Sequence, residues 1–313
     1  DLEGLPRSLS PKLARFGLKL VKSALAARRL VADFKPDAAV GMGGYVSVPC
    51  LWAAQRSGVP AAVHESNAIL GLANRLCRRL GAKVFWGLPP QEGLKGGEAL
   101  VGTPVRAELR APAAREPSRR ELGLEAAAPV LLVFGGSQGA QALNRAVPEI
   151  LKTLAARVPG GGALQVIHAT GEKWLEETRA RYAGVPFKPL VLPYISAMER
   201  AYGAADLVLC RSGASTLAEL FAQKKPAILV PYPHAAAGHQ SRNAAVLETA
   251  GAARAVEEKD LAQDLPSVLS SLIFEPQAAA RRRAMSESFT RLALPAPSDA
   301  VPALVRAVEA LAR

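Results

Sequence analysis

Thiols are scarce in this chain. Its three cysteines, Cys50, Cys77 and Cys210, form no CxxC and no Cys/His pairing at zinc spacing. Free thiols in a reducing compartment are the expectation. Long apolar runs are missing as well, since none approaches the ~18–20 residues of a membrane span. The opening DLEGLPRSL lacks the charged-then-apolar build of a signal peptide and has no initiator Met, so a chain shortened at its N-terminus is expected. HExxH, GxxxxGK[ST] and a DxD pair do not occur. Their absence argues against zinc hydrolysis, P-loop chemistry and metal-dependent sugar transfer; no metal site and no cofactor are expected.

What is present in excess is positive charge, +12 over 313 residues. Charge alone allows a solvated basic surface or attraction to phosphates, nucleic acid or acidic lipid. No interleaving of aromatic and basic residues marks a nucleic-acid module, so no nucleic-acid partner is expected. Half of the residues are apolar and 21% are charged, ordinary values for a globular chain, and the length accommodates two domains.

The most informative stretch is Asp206–Glu219, DLVLCRSGASTLAE. An apolar run predicts a buried strand, Arg211–Thr216 a small-residue turn, and Leu217, Leu220 and Phe221 a helix. Free N–H groups at such a helix start favour a phosphate. Glu219, about one turn further on, suits the two hydroxyls of a ribose. Val130–Phe134 followed by Gly135-Gly136-Ser137-Gln138-Gly139 repeats the strand, glycine turn and helix. Its spacing is not GxGxxG, and no acid follows ~20 residues later, so it is not a dinucleotide fingerprint. His239-Gln240 opens a third helix after the strand Ala227–Val230. Arg106 lies beside a linker read at Ala111–Pro117, where a guanidinium can clamp a diphosphate. Asn67 is read either as a sugar ligand or as a helix cap, and His64, Trp52 and Trp86 as packing residues.

The N-terminal segment predicts a long helix, Leu9–Phe34, with Ser10 as cap and Leu9, Leu13, Phe16 and Leu20 on one stripe. Eight Lys/Arg against Asp33 between Arg7 and Lys35 fit either a solvated face or an anionic membrane surface. Short apolar strands alternating with helices on both sides of the linker predict an α/β fold of two similar halves. Ligands in such sheets sit at the carboxyl ends of the strands.

GMGGYVSVP (41–49), HESNAILGLANR (64–75), VGTPVR (101–106), VFGGSQGAQALN (133–144), YISAMERAYGAADLVLCRSGASTLAEL (194–220) and HQSRNA (239–244) together resemble the MurG family of bacterial glycosyltransferases across nearly the whole chain. The resemblance implies a GT-B fold of two Rossmann-like parallel-sheet domains. The first would span residues 1–106, N-terminally incomplete and joined by a terminal helix at 298–313. The second, at 107–297, would bind the donor. It implies inverting, metal-independent transfer of N-acetylglucosamine from its UDP carrier to lipid I, at the cytoplasmic face of the inner membrane and against its anionic leaflet. Substrate contacts are implied at Asn67, Arg106, Ser137, Ile195, Ala214, Ser215, Thr216, Glu219 and Gln240, with Gly136, His239 and Tyr45 as further candidates. Ile195 would meet uracil, Glu219 the ribose and Gln240 the sugar. The family's catalytic histidine belongs to a GGTGGH loop that would precede Asp1, so no catalytic residue is assigned. Other expectations weighed are another GT-B enzyme, such as a lipid glucosyltransferase or a UDP-sugar epimerase, and a UDP-sugar-binding fragment without transfer.

Overall fold

The computed structural model describes residues 11–157 and 163–313, with side chains described for Lys19 and from Val21 onward. The Ser10 cap and Leu9 lie outside the described residues, as do the side chains of Leu13, Phe16 and Leu20. The chain divides into two units, Asp1–Pro104 with Leu294–Arg313, and Val105–Ala293.

The first unit runs α1 (Pro11–Phe34), β1 (Ala39–Gly41), α2 (Ser47–Arg56), β2 (Ala61–Glu65), α3 (Leu72–Arg79), β3 (Lys83–Trp86) and β4 (Ala99–Leu100). Its strands form one parallel sheet in the order β1-β2-β3-β4. Every residue of β2 is buried, as a sheet covered on both faces requires. On one face Val63, Val84 and Trp86 pack with Leu51, Leu70 and Cys77. Trp86 is thus a packing residue, and its indole N–H donates to Glu98 at 2.9 Å.

The second unit runs α4 (Arg115–Glu121), β5 (Val130–Phe134), α5 (Gln141–Arg157), β6 (Gln165–Ala169), α6 (Leu175–Arg181), β7 (Pro189–Leu192), α7 (Met198–Ala204), β8 (Leu207–Cys210), α8 (Ala214–Gln223), β9 (Ala227–Leu229), α9 (His239–Thr249), β10 (Ala253–Ala255), α10 (Leu261–Leu269) and α11 (Ala278–Glu287). Its parallel sheet has the order β10-β9-β8-β5-β6-β7. The chain therefore winds outward from β5 to β7, returns, and winds the other way from β8. The direction reverses between β5 and β8, the point at which doubly wound sheets open a ligand crevice. The last helix, α12 (Ala300–Ala312), returns to the first unit, where Ala303, Leu304, Ala307 and Val308 pack on Ala62, Phe85 and Val101.

Two buried polar residues fix the second sheet. Arg119 is only 1% exposed. Its guanidinium donates to the carbonyls of Ala204, Glu125, Ala126 and Ala128 and to Asp206 Oδ2 at 2.6 Å. The same Asp206 oxygen accepts the Val130 N–H at 2.8 Å, so one ion pair ties the starts of β5 and β8. His168 on β6 is fully buried; its Nε2 donates to Asn144 Oδ1 at 3.0 Å and its Nδ1 accepts from the Tyr182 hydroxyl at 2.9 Å. Burial lowers the His168 pKa to about 3. The unfolded chain takes up this proton near the ordinary value of ~6.5, whereas the fold refuses it until about 3. His168 should therefore cost stability as pH falls through that window, by ~1.4 kcal/mol per pH unit. Denaturant titrations from neutral pH downward should show this slope, and His168→Gln should remove it.

The segment read as a linker is ordered. Gln223, buried at the end of α8, donates to the carbonyls of Leu109 and Ala111 and accepts the Ala113 N–H, and α4 begins two residues later. Among the described residues no helix is long and apolar enough to cross a membrane. Cys50 is exposed, Cys77 and Cys210 are buried, and all three thiols are free.

Candidate functional site

Six loops leave the carboxyl ends of the second sheet, and those following β5 and β8 meet at its reversal point. The β5 loop, Gly135–Gly139, is held by backbone geometry. Gly136 has φ +91°, and the Gly139 N–H donates back to the Gly136 carbonyl at 3.0 Å. A Cβ on Gly139 would stand 1.7 Å from the Thr170 carbonyl oxygen, so the β5 and β6 loops interlock at a distance that only glycine allows. Gly136 and Ser137 are exposed at its tip. The loop also spells the GxSxG pattern of serine hydrolases. Ser137 makes no hydrogen bond to a histidine among the described residues, whereas a serine nucleophile is activated by such a partner.

After β8, Arg211 works as a tie. Its guanidinium donates to the Val230 and Pro231 carbonyls at 3.2 Å, pairs with Glu258 and lies 5.4 Å over the Tyr232 ring. Gly213 is the cap residue of α8, and no side-chain cap hydrogen bond is made at this helix start among the described residues. Ala214, Ser215 and Thr216 form this first turn, where free N–H groups and the helix dipole favour an anion. Asn243 of α9 donates to the Ser212 carbonyl at 3.1 Å, which draws the starts of α8 and α9 together. His239 and Gln240 open α9, and Gln240 Oε1 accepts the Tyr232 N–H at 2.9 Å.

Glu219 stands on the second turn of α8. Its Oε2 accepts a hydrogen bond from the fully buried Tyr202 hydroxyl at 2.9 Å, while Oε1 has no partner among the described residues. Burial raises the Glu219 carboxyl above the ordinary range, and the Tyr202 hydrogen bond and the Arg106 charge oppose that rise. Burial and the Glu219 charge raise the Tyr202 phenol well above its ordinary value, so it remains a proton donor. Arg106 is exposed just before a 3-10 turn at Ala107–Leu109 of the same unit. In the β7–α7 loop Ile195 is buried beside an exposed Tyr194, which anchors that loop by its side chain.

The structure thus gathers Arg106, Gly136, Ser137, Ile195, Ala214, Ser215, Thr216, Glu219, His239 and Gln240 on unit 2, with all but Arg106 in, or one turn beyond, the loops at one end of its sheet. Asn67 and Tyr45 belong to unit 1. Tyr45 packs beside the core in the turn before α2. Asn67 follows β2, where Glu65, buried, accepts N–H groups from the Asn67 backbone and side chain, Gly71 and Asn74 at 2.8–3.0 Å. His64 Nε2 donates to the Gly102 carbonyl at 2.9 Å, and burial lowers its pKa, as befits a structural histidine. Two contributors lie beyond the sequence reading: Tyr202, which orients Glu219, and Gln223, which fastens the segment after Arg106. Among the described residues no group of three or more His, Cys, Asp or Glu is arranged to hold a metal.

Residues 130–294 match the glycosyltransferase family 28 C-terminal domain, and residues 1–86 match its N-terminal domain. The chain is 40% identical over 277 residues to the UDP-N-acetylglucosamine–N-acetylmuramyl-(pentapeptide) pyrophosphoryl-undecaprenol N-acetylglucosamine transferase of Ectopseudomonas mendocina, covering 87% of this chain and 75% of the relative. It is 36% identical to the protein of the same name in Elusimicrobium minutum, covering 99% and 84%. The crystal structure of Acinetobacter baumannii MurG superposes with a TM-score of 0.76 at 31% identity, over 94% of this chain and 79% of that one. CalG4, the calicheamicin glycosyltransferase, at 17% identity and a TM-score of 0.56, shares the fold. Two parallel-sheet α/β units, both family 28 domains and these relatives give one conclusion: the chain has the GT-B fold and belongs to the MurG family of glycosyltransferases.

Proposed function

We propose that the chain transfers N-acetylglucosamine from UDP-N-acetylglucosamine to lipid I, with inversion at the anomeric carbon and without a metal ion. The observation that carries this reading is the reversal-point crevice of unit 2: an α8 start with no side-chain cap, and one turn on the Glu219 carboxylate, whose Oε2 is held by Tyr202 and whose Oε1 has no partner among the described residues. The uncapped turn Ala214–Thr216, with Ser137 and Gly136 across the crevice, suits the diphosphate. Glu219 Oε1 suits the ribose diol, the Ile195 backbone the uracil, and Gln240 with His239 the sugar. When the acceptor hydroxyl attacks the anomeric carbon, the new C–O bond forms as the bond to UDP breaks, the hydroxyl proton passes to water, and charge grows on the diphosphate. Helix N–H groups and the Arg106 guanidinium can stabilise that charge. Asn67 and Tyr45 are assigned substrate contacts on unit 1. Incubation with UDP-N-acetylglucosamine and lipid I should release UDP and form lipid II without added divalent ion; UDP release that requires magnesium, or none beside an active control, would reject the proposal.

Docking on the anionic cytoplasmic leaflet is assigned to α3. Leu72, Leu76 and Leu80 recur every four residues and are 57%, 44% and 41% exposed, and Arg75, Arg78 and Arg79 belong to the same helix. Apolar residues beside basic ones at a surface suit an acidic bilayer. Replacing all three leucines by Ser should reduce co-sedimentation with phosphatidylglycerol vesicles about tenfold or more, and leave UDP binding intact. Undiminished sedimentation would move the contact elsewhere.

A further inference from the structure

The opposite end of the second sheet, where β5, β8 and β9 begin, borders a cavity of about 540 Å³. Five cations line it: Arg115, Lys224, Lys225, Arg282 and Arg283. Two carboxylates share the wall, and both are engaged. Asp206 receives Arg119 at 2.6 Å, the Val130 N–H at 2.8 Å and Arg115 at 3.4 Å, and Glu275 receives Arg281 at 2.5 Å. The cations are less fully committed. Lys225 Nζ donates to the Ala205 carbonyl at 2.8 Å and Arg282 to that of Leu272, while the Lys224 and Arg283 side chains make no hydrogen bond or ion pair among the described residues. The start of α11, with no side-chain cap, adds Ala278 and Ala279 to the wall, and a helix start favours negative charge. The end of α8 does not oppose this strongly, because the Lys224 and Lys225 N–H groups cover the Phe221 and Leu220 carbonyls. Burial pulls Lys225 down to about 8, with Asp206 opposing and Arg119 and Arg115 adding to the fall; an anion in the cavity would offset that cost.

We propose that this cleft is a second anion site, which takes a phosphate-bearing group through charge-assisted bonds from Lys224, Lys225, Arg282 and Arg283 and the first turn of α11. Its surplus of positive charge, three over the two carboxylates among its lining residues, suits a diphosphate better than a single carboxylate. The group could arrive on a soluble metabolite or on a lipid headgroup, and the same cations would receive either.

Inorganic pyrophosphate should be titrated calorimetrically into the protein in the presence of saturating UDP, which keeps it from the glycine loops. The probe variant is Lys224→Asn with Arg283→Ala. Both residues are exposed, and Asn tolerates the left-handed backbone at position 224 (φ +48°). Arg283→Ala alone serves if the pair lowers the melting temperature. Binding of pyrophosphate that weakens about tenfold or more in the variant supports the site and a soluble ligand. No pyrophosphate binding, but co-sedimentation with phosphatidylglycerol vesicles that the variant loses, supports the site and a lipid headgroup. No binding in either arm, or binding that the variant leaves unchanged, overturns the proposal. Neither position touches the loops assigned to UDP, so this result and the donor reading stand or fall apart.

Discussion

Arg119→Met should cost the second unit about 3–5 kcal/mol, because removing one partner of a buried ion pair leaves the other charge uncompensated. The loss goes beyond the pair. The carbonyls of Ala204, Glu125, Ala126 and Ala128 would lose the donor that reaches them. Asp206 would keep the Val130 N–H and the longer Arg115 contact at 3.4 Å. In a unit of this size each kcal/mol moves the melting temperature by ~2–4 °C, so a fall of about 10 °C or failure to fold is expected in a thermal scan. Methionine keeps most of the side-chain length, which separates loss of hydrogen bonding from loss of volume. A melting temperature within a degree or two of the parent would mean that Arg119 is a spectator and that the starts of β5 and β8 are set by packing alone.

The second large effect is on binding. Glu219→Ala should weaken UDP by about 1.5–3 kcal/mol, roughly ten- to a hundredfold, since hydrogen bonds to a charged acceptor are worth that much. The fold should tolerate the change. Burial raises the Glu219 carboxyl, so the folded state favours its protonated form and the ionised form is a burden near neutral pH. Glu219→Gln, which still accepts from Tyr202, should therefore melt no lower than the parent while binding UDP less well. The pH dependence has a definite sign: affinity for UDP should fall as pH drops through the raised pKa, because the protonated carboxyl accepts one diol hydrogen bond less readily. Calorimetric titration of UDP into both variants over a pH series reads all of this. Unchanged affinity in Glu219→Ala would mean that the carboxylate points away from the ribose.

The architecture was readable from the sequence where chemistry repeats. Strand, glycine turn and helix recur at Val130–Gly139 and Asp206–Glu219, and the fold places both turns at the same sheet reversal. What escaped is whatever depends on distant partners. Arg119 sits in a run of surface-like residues, and only the fold reveals that its guanidinium closes around four carbonyls. Tyr202 lies within a recognised motif, yet its role emerges only when α7 sets its hydroxyl 2.9 Å from Glu219. The strands β4 and β10, two and three residues long, are too brief to carry an apolar period. The stretch Ala111–Pro117 has the composition of a linker, but it is held by an amide more than a hundred positions away.

That amide has a further consequence. The helix that bears Glu219 on its second turn also bears Gln223 near its end, and Gln223 grips the strap three to seven residues after Arg106. Any tilt or slide of α8 as a rigid rod would drag the strap along with it. Acid and guanidinium then travel as cargo on one carrier, and the gap between them survives motions that would separate groups mounted on different elements.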